Sequence, residues 1–422
     1  MRKFLTLIGG LIYRLLPLIV FGAIAVVFLI FAVIRLEWIE LPSVLRDVLA
    51  AFFAALIGAL PVVLFSWAER KVLGRVHNRI GPNESGPFGI IQAMADGIKM
   101  FTKEDVTPDG ADRVMFNVAP ILMGSAAFAV YGVLPFAHAM IGVDLSVALL
   151  YLLAMGSVTS VAVLMAGWSS NNKYALLGAF RSVSQLISYE IPLALALLTP
   201  IMLAGTMSTV GLVEAQEVPY FLPLLVSLFL FYVSSLAETS RAPFDILEAD
   251  SEIVAGFFTE YSGMKFALFF LAEYAHMFAA SMMTVILFFG GYRLPLLELI
   301  VNVNFGETFL APFIIISKSL VVVFLFLWIR STLPRIRLDQ LLALNWKFLV
   351  PLSLVNVIVV AILAKLLEDS SLGLRTTVML AANLLMLAGA GLALVAAGRR
   401  ARERDETSLT AVTDAPQLTS IH

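Results

Sequence analysis

The stretch 238–273, ETSRAPFDILEADSEIVAGFFTEYSGMKFALFFLAE, decides the fold by its own content and by what flanks it. It carries the carboxylates Glu238, Asp245, Glu248, Asp250, Glu252, Glu260 and Glu273 against two cations, Arg241 and Lys265. Long apolar runs lie on both sides. The acidic segment therefore sits at the mouth of a membrane domain, with Glu238 and Glu273 at or inside the spanning helices. A carboxylate placed there is costly unless it is paired, wet or protonated, which marks it as functional. If the chain after Pro243 is helical, Asp245, Glu248 and Glu252 share one face at i, i+3 and i+7. A solvated acidic loop capping a helix would account for the middle of the stretch, but not for the intramembrane acids that bracket it.

Working outward, the whole chain has the composition of a bilayer protein. Hydrophobic residues make up 60% of the 422, and the mean hydropathy is +0.94, too apolar for a soluble domain of this size. A net charge of −2 and the lack of a basic stripe exclude nucleic acid as a partner. There is no cysteine, which excludes disulfides, thiolate zinc sites and cysteine-ligated iron–sulfur clusters. The histidines His77, His138, His276 and His422 are scattered, and none forms an HExxH pair. Electrons for any redox step must come from another subunit.

Runs near the ~20 apolar residues needed to span hydrocarbon occur at 15–34, 48–68, 114–137, 147–168, 186–204, 221–237, 266–289, 312–329, 349–364 and 376–397. These predict an all-α, polytopic helix bundle of about ten spans. The first run is too long, and too poor in an A-x-A site, for a removed signal peptide. Of the 28 Lys and Arg, 22 fall in one alternating set of connections, five in the other, and Lys318 lies inside a span. That asymmetry places both termini and the acidic loop in the cytoplasm, in a multi-pass protein of the bacterial cytoplasmic membrane. Residues 88–101, FGIIQAMADGIKMF, have helical apolar periodicity and read as an amphipathic helix at the interface. The tail 405–422 is polar and expected to be disordered, and no internal repeat of the transporter kind is present.

Two groups of residues carry chemistry. The connection after the second span, AERKVLGRVHNRIGPNESGPFGIIQAMADGIKMFTKED, holds its cations on a path fixed by the turns at Gly81-Pro82-Asn83 and Gly86-Pro87. Ordinary charge anchoring explains its lysines but not Glu69 beside Arg70, nor Asp96 on the amphipathic helix. Inside the membrane, Glu190 (expected about one turn or more into its helix), Glu238, Glu273, Lys318 and His276 form a polar set of both signs. A structural salt bridge accounts for any single pair. A set spread over four helices points instead to a proton path.

Four segments resemble one family. They are AERKVLGRVHNRIGPNESGPFGIIQAMADGIKMFTKE, GWSSNNKYALLGAFRSVSQLISYE, RAPFDILEADSEIVAGFFTEYSGMKFALFFLAEY and LWIRSTLPRIRLDQLLALNWK. They are similar, in order, to the quinone-site membrane subunit of respiratory NADH–quinone oxidoreductase, complex I. The resemblance covers residues 48–366, with loops at 69–113, 168–185, 238–265 and 330–348. Residues 1–47 and 367–404 are an extra helix at each end. It implies a chain without a redox centre, with quinone as substrate and FMN and iron–sulfur clusters in partner subunits. The cytoplasmic loops would dock the hydrophilic arm that carries the terminal cluster, and small membrane subunits would pack alongside.

By the family's pattern, quinone enters near Glu69, Arg70, Arg79, Asp96, Phe270 and Arg330. Proton coupling would use Glu190, Glu238, Asp245, Glu248, Asp250, Glu252, Glu260, Glu273 and Lys318. The sequence departs where Asp250 stands for the usual Glu, His77 for Gln, and Leu247 for Pro or Ala. A membrane-bound hydrogenase or a ferredoxin- or F420-linked dehydrogenase uses a relative of this subunit, and its partners distinguish it. A free-standing ion transporter would not need such large charged loops, and a purely structural anchor would not need intramembrane acids.

Overall fold

A computed structural model describes residues 26–34, 42–246, 255–295 and 310–413, with only the backbone of residues 60, 394 and 397–413. Among the described residues there are helices and connections but no strand. In a bilayer every backbone N–H and C=O must be satisfied within the protein, and a helix does this within one segment.

The elements in chain order are α1 (Ser43–Val76), α2 (Ile91–Thr102), α3 (Arg113–Ala129), α4 (Ala148–Ser169), α5 (Lys173–Ala204) and α6 (Thr209–Glu214). They continue with α7 (Leu225–Glu238), α8 (Gly263–Phe288), α9 (Ala311–Thr332), α10 (Leu338–Leu344), α11 (Val350–Leu366) and α12 (Leu372–Thr413). A π-turn, Asn345–Leu349, joins α10 to α11. Eight helices or joined helices are long and apolar enough to cross a membrane, and α7 is a shorter apolar one. These account for nine of the ten expected spans. Of the first, residues 26–34 are described; they are helical, and Phe28 and Phe31 pack edge-on against Phe136.

Helix α8 is the axis of the bundle and the most buried of the long spans, packing against α1, α3, α7 and α9. Helices α3, α4, α5 and α7 follow as successive neighbours, while α11 and α12 lie at the periphery. Local chemistry fixes the starts. Asp112 accepts from the N–H groups of Val114 and Met115, and Asn172 from that of Tyr174, each meeting an orphan donor of a first helical turn.

The structure corrects several boundaries. The Asn172 cap starts α5 at Lys173, so most of 168–185, expected as a loop, is helix, and Glu190 lies more than four turns inside rather than about one. The amphipathic helix begins at Ile91, because Phe88 is held at a φ of 58° in the preceding turn. Helix α12 runs on to Thr413, so residues 405–413 of the expected disordered tail are helical. Arg399 and Glu403, then Arg402 and Glu406, stand four apart there, a spacing that supports an exposed helix.

Proline within α5 shows how polar side chains repair the membrane interior. Pro192 has no N–H for the carbonyl of Ser188, and Asn345 Nδ2 donates to that carbonyl instead, at 2.6 Å. The carbonyl four residues before Pro200, that of Ala196, is met by Thr199 Oγ1 at 2.9 Å.

Candidate functional site

The site grows from one buried carboxylate. Glu69 stands near the end of α1 and is 7% exposed. Its Oε2 accepts from Arg241 Nη1 at 2.6 Å, and its Oε1 pairs with Arg330 Nη1. The Tyr274 hydroxyl also hydrogen-bonds this carboxylate. Arg241 follows α7, Arg330 closes α9 and Tyr274 belongs to α8, so four segments converge on one charge. The Arg241 guanidinium lies over the Tyr274 ring, 4.4 Å from its centroid, a cation–π contact in a desolvated place. Burial alone would loosen the Arg241 proton, but the Glu69 carboxylate overrides it and leaves the guanidinium more firmly protonated than usual.

From this centre a line of small cavities runs inward. Arg241, Asp245, Phe270, Glu273, Tyr274 and Arg330 line the first. The second is shared by Glu273, Glu238, Thr239, Ser240 and His276. The third, about 60 Å³, is lined by Glu238, His276, Ser235 and Gly156 among apolar residues. That volume is enough for a few waters, and His276 Nε2 is buried with no hydrogen-bond partner among the described residues. Glu238 is pressed against α4: a Cβ on Gly156 would come within 2.8 Å of its Oε1. One turn along α4, Ser157 and Ser160 donate to Glu190 at 3.2 and 3.3 Å.

The expected polar set is thus largely assembled. Glu273, His276, Glu238 and Glu190 form a continuous series, and Glu69 and Arg330 join it at the loop end. Lys318 does not. Its Nζ donates to the carbonyls of Phe289 and Gly291 at 2.7 and 3.0 Å and to that of Arg293. It caps the C-terminal end of α8, some 15 residues or ~22 Å along the helix from Glu273, where orphan carbonyls and the helix dipole favour a cation.

The charged connections are tied to one another. Arg70 Nη1 meets Asp96 Oδ2 at 2.5 Å, and Gln92 donates to the other oxygen at 3.0 Å. Asp245 pairs with Arg335 at 3.4 Å, Lys265 with Asp105 at 3.0 Å, and Asn172 donates to Glu260 at 2.7 Å. Arg79 is exposed on the turn after α1. Glu248, Asp250 and Glu252 fall outside the described residues.

Sequence reading missed four contributors: Arg241, Tyr274, Gln185 and the serines of α4. Gln185 Nε2 donates to the carbonyls of Ala237 and Phe244, fastening both ends of the turn after Glu238. Nothing in spacing marks these residues, because each acts across a helix contact. One hint existed, in that Arg241 and Tyr274 sit within three residues of Glu238 and Glu273. A related close approach fixes the acidic segment itself: a Cβ on Gly178 of α5 would come within 2.7 Å of Gly256 Cα.

Fold and site define a class, a polytopic helical membrane protein in which loop charges feed a buried carboxylate centre. Residues 47–361 match the model of the family described as NADH dehydrogenase. The chain is 44% identical over 328 residues to the H-type membrane component of NADH-quinone oxidoreductase from Dehalococcoides mccartyi (strain CBDB1), covering 78% of this chain and 88% of that one. It is 46% identical over 316 residues to the protein of the same name from Rhodospirillum centenum, covering 74% and 93%. With the corresponding protein of Vesicomyosocius okutanii the identity is 43% over 332 residues, covering 76% and 92%. The chain belongs to this family of NADH–quinone oxidoreductase membrane subunits.

Proposed function

We propose that the chain is the membrane subunit of a proton-translocating NADH–quinone oxidoreductase that borders the quinone channel, docks the hydrophilic arm and passes the effect of quinone reduction into the membrane. The observation that carries this reading is the continuity from the buried Glu69–Arg241–Arg330 centre through Glu273 and His276 to Glu238 and Glu190. Glu69, Arg70, Asp96, Phe270 and Arg330 would border the quinone path, with Arg79 at its exposed rim. Asp245, Glu248, Asp250, Glu252 and Glu260 would form the acidic loop beside it. FMN and iron–sulfur clusters would reside in partner subunits, and both termini would lie in the cytoplasm.

The physics sets a condition on coupling. One negative charge gained about 8 Å from a carboxylate changes its energy by ~2 kcal/mol at an effective dielectric near 20, and by only about 0.5 kcal/mol in bulk water. Coupling therefore needs buried acids. Arg241 gives such a response direction, because its fixed charge is shared between Glu69 and Glu273, which both lie within its electrostatic reach. A charge change at the loop end alters how much of that cation Glu273 feels. Glu273 and Glu238 then face one cavity, where a proton gained by one changes the field at the other. The hydrogenase-type reading is disfavoured by relatives that align over about nine-tenths of their length and are named for quinone.

The test is Glu238→Gln in the assembled complex. The amide keeps the size and one acceptor oxygen but cannot titrate. Protons pumped per NADH should fall, while electron transfer from NADH to an artificial acceptor upstream of quinone stays at the wild-type level per complex. Glu252→Gln should act in the same direction, and Asp250→Glu, which restores the family's usual residue, should be neutral. Full pumping in assembled Glu238→Gln enzyme would reduce this end of the protein to a docking surface.

A further inference from the structure

The family match ends at residue 361, and almost everything after it is α12, yet α12 is tied to the interior. Asn383, 1% exposed, projects from α12 onto the start of α7. Its Nδ2 donates to the carbonyl of Pro223 at 2.7 Å, and its Oδ1 accepts from the N–H of Val226 at 3.0 Å. Its position along the helix is fixed by a second bond from Nδ2 to the Met379 carbonyl at 2.9 Å, one turn back.

Those two backbone groups need a partner. Helix α7 has 14 residues and so spans ~21 Å of a hydrocarbon layer ~30 Å thick. Its N-terminal turn consequently lies inside the apolar layer, where an orphan N–H costs several kcal/mol and water cannot supply a bond. The residue before the helix is Leu224, which has no side-chain cap to offer. The next polar position, Ser227, is met in the same way: its Oγ accepts from Asn356 Nδ2 of α11 and from Thr199 Oγ1 of α5, both at 2.7 Å. At the other end of the 14-residue rod stands Glu238, against Gly156.

We propose that α12 is a built-in clamp: Asn383 caps the buried start of α7 from a neighbouring helix, and thereby fixes the axial position at which Glu238 meets α4. Asn383 is a positioning residue, acting through α7. A shift of the rod by even a fraction of a turn would carry Glu238 off Gly156 and away from the Ser157–Ser160 turn that holds Glu190. The functional half of this inference rests on the proposed role of Glu238; the clamp itself does not.

The experiment uses the purified, assembled complex carrying Asn383→Leu, which keeps shape and removes both polar atoms. Hydrogen–deuterium exchange of the peptide covering residues 220–230 reads the clamp, and protons pumped per NADH read the positioning. Exchange at Val226 should speed on the order of tenfold, the ratio expected for one lost hydrogen bond. Pumping per NADH should fall, with quinone reduction per complex less affected. If Asn383→Leu does not assemble, Asn383→Asp keeps the acceptor for Val226 and loses the donor to Pro223, and the same two readouts should move less. Unchanged exchange would overturn the clamp. Faster exchange with wild-type pumping would overturn the positioning role. If assembled Glu238→Gln also pumps normally, the failure lies instead with the role given to Glu238.

Discussion

Removing the Glu69 carboxylate should harm the protein far more than removing the arginine that faces it. Two guanidinia meet this carboxylate, Arg241 at 2.6 Å and Arg330, and the side chains are 9%, 4% and 21% exposed. With charge centres about 4 Å apart and an effective dielectric near 20, each pair is worth ~4 kcal/mol of attraction. Glu69→Gln deletes both attractions and leaves two buried cations about 6 Å apart, which repel by ~3 kcal/mol on the same scale. Neither can shed its proton near neutral pH.

Arg241→Gln behaves differently. Glu69 keeps Arg330, and the Glu273 carboxylate that also feels Arg241 can be neutralised by taking up a proton, as any buried acid can. Breaking a buried pair usually costs about 3–5 kcal/mol, so the full figure belongs to Glu69→Gln and a fraction of it to Arg241→Gln. The assay is the half-life of intact complex in membranes held at a fixed elevated temperature, followed on native gels and so independent of quinone turnover. Glu69→Gln should shorten it by tenfold or more, since each ~1.4 kcal/mol is a factor of ten, and Arg241→Gln by less than that. Equal losses, or Arg241→Gln as the worse variant, would refute the reasoning.

Three further outcomes follow from the contacts. Arg70→Lys should lower quinone reductase activity while Lys71→Arg does not, because a lysine cannot reproduce the planar geometry that meets Asp96 at 2.5 Å; equal tolerance would return this segment to plain membrane anchoring. Lys318→Met should reduce the amount of assembled complex by uncapping the end of α8, yet leave protons per NADH at the wild-type value in what assembles, and a lowered ratio would put Lys318 back on the proton path. A single cysteine at Val412, placed in a chain that has none, should resist an impermeant thiol reagent added to intact cells, and labelling from outside would invert the topology.

The sequence by itself determined the membrane class, the order of the spans, and the residues in which charge and hydrocarbon conflict. That information is local: an apolar run of the right length can be satisfied only as a helix, and an acid within it stands out against its neighbours. Glu69, Glu190, Glu238 and Glu273 were all legible in that way. Their partners were not. Arg241 reads as a loop cation, Ser157 and Ser160 as ordinary small residues of a span, and Asn345 and Asn383 as polar residues without a role. Each became meaningful once helices far apart in sequence were brought side by side. Lys318 shows the same limit in reverse, since its sign suggested a partner for the acids and the bundle placed it on the carbonyl end of α8. Helix starts also depended on tertiary context, because Asn172 could extend α5 by several turns where hydropathy saw a loop. Hydropathy records what a segment must bury, whereas hydrogen bonds between helices depend on rotation and depth, which only packing sets.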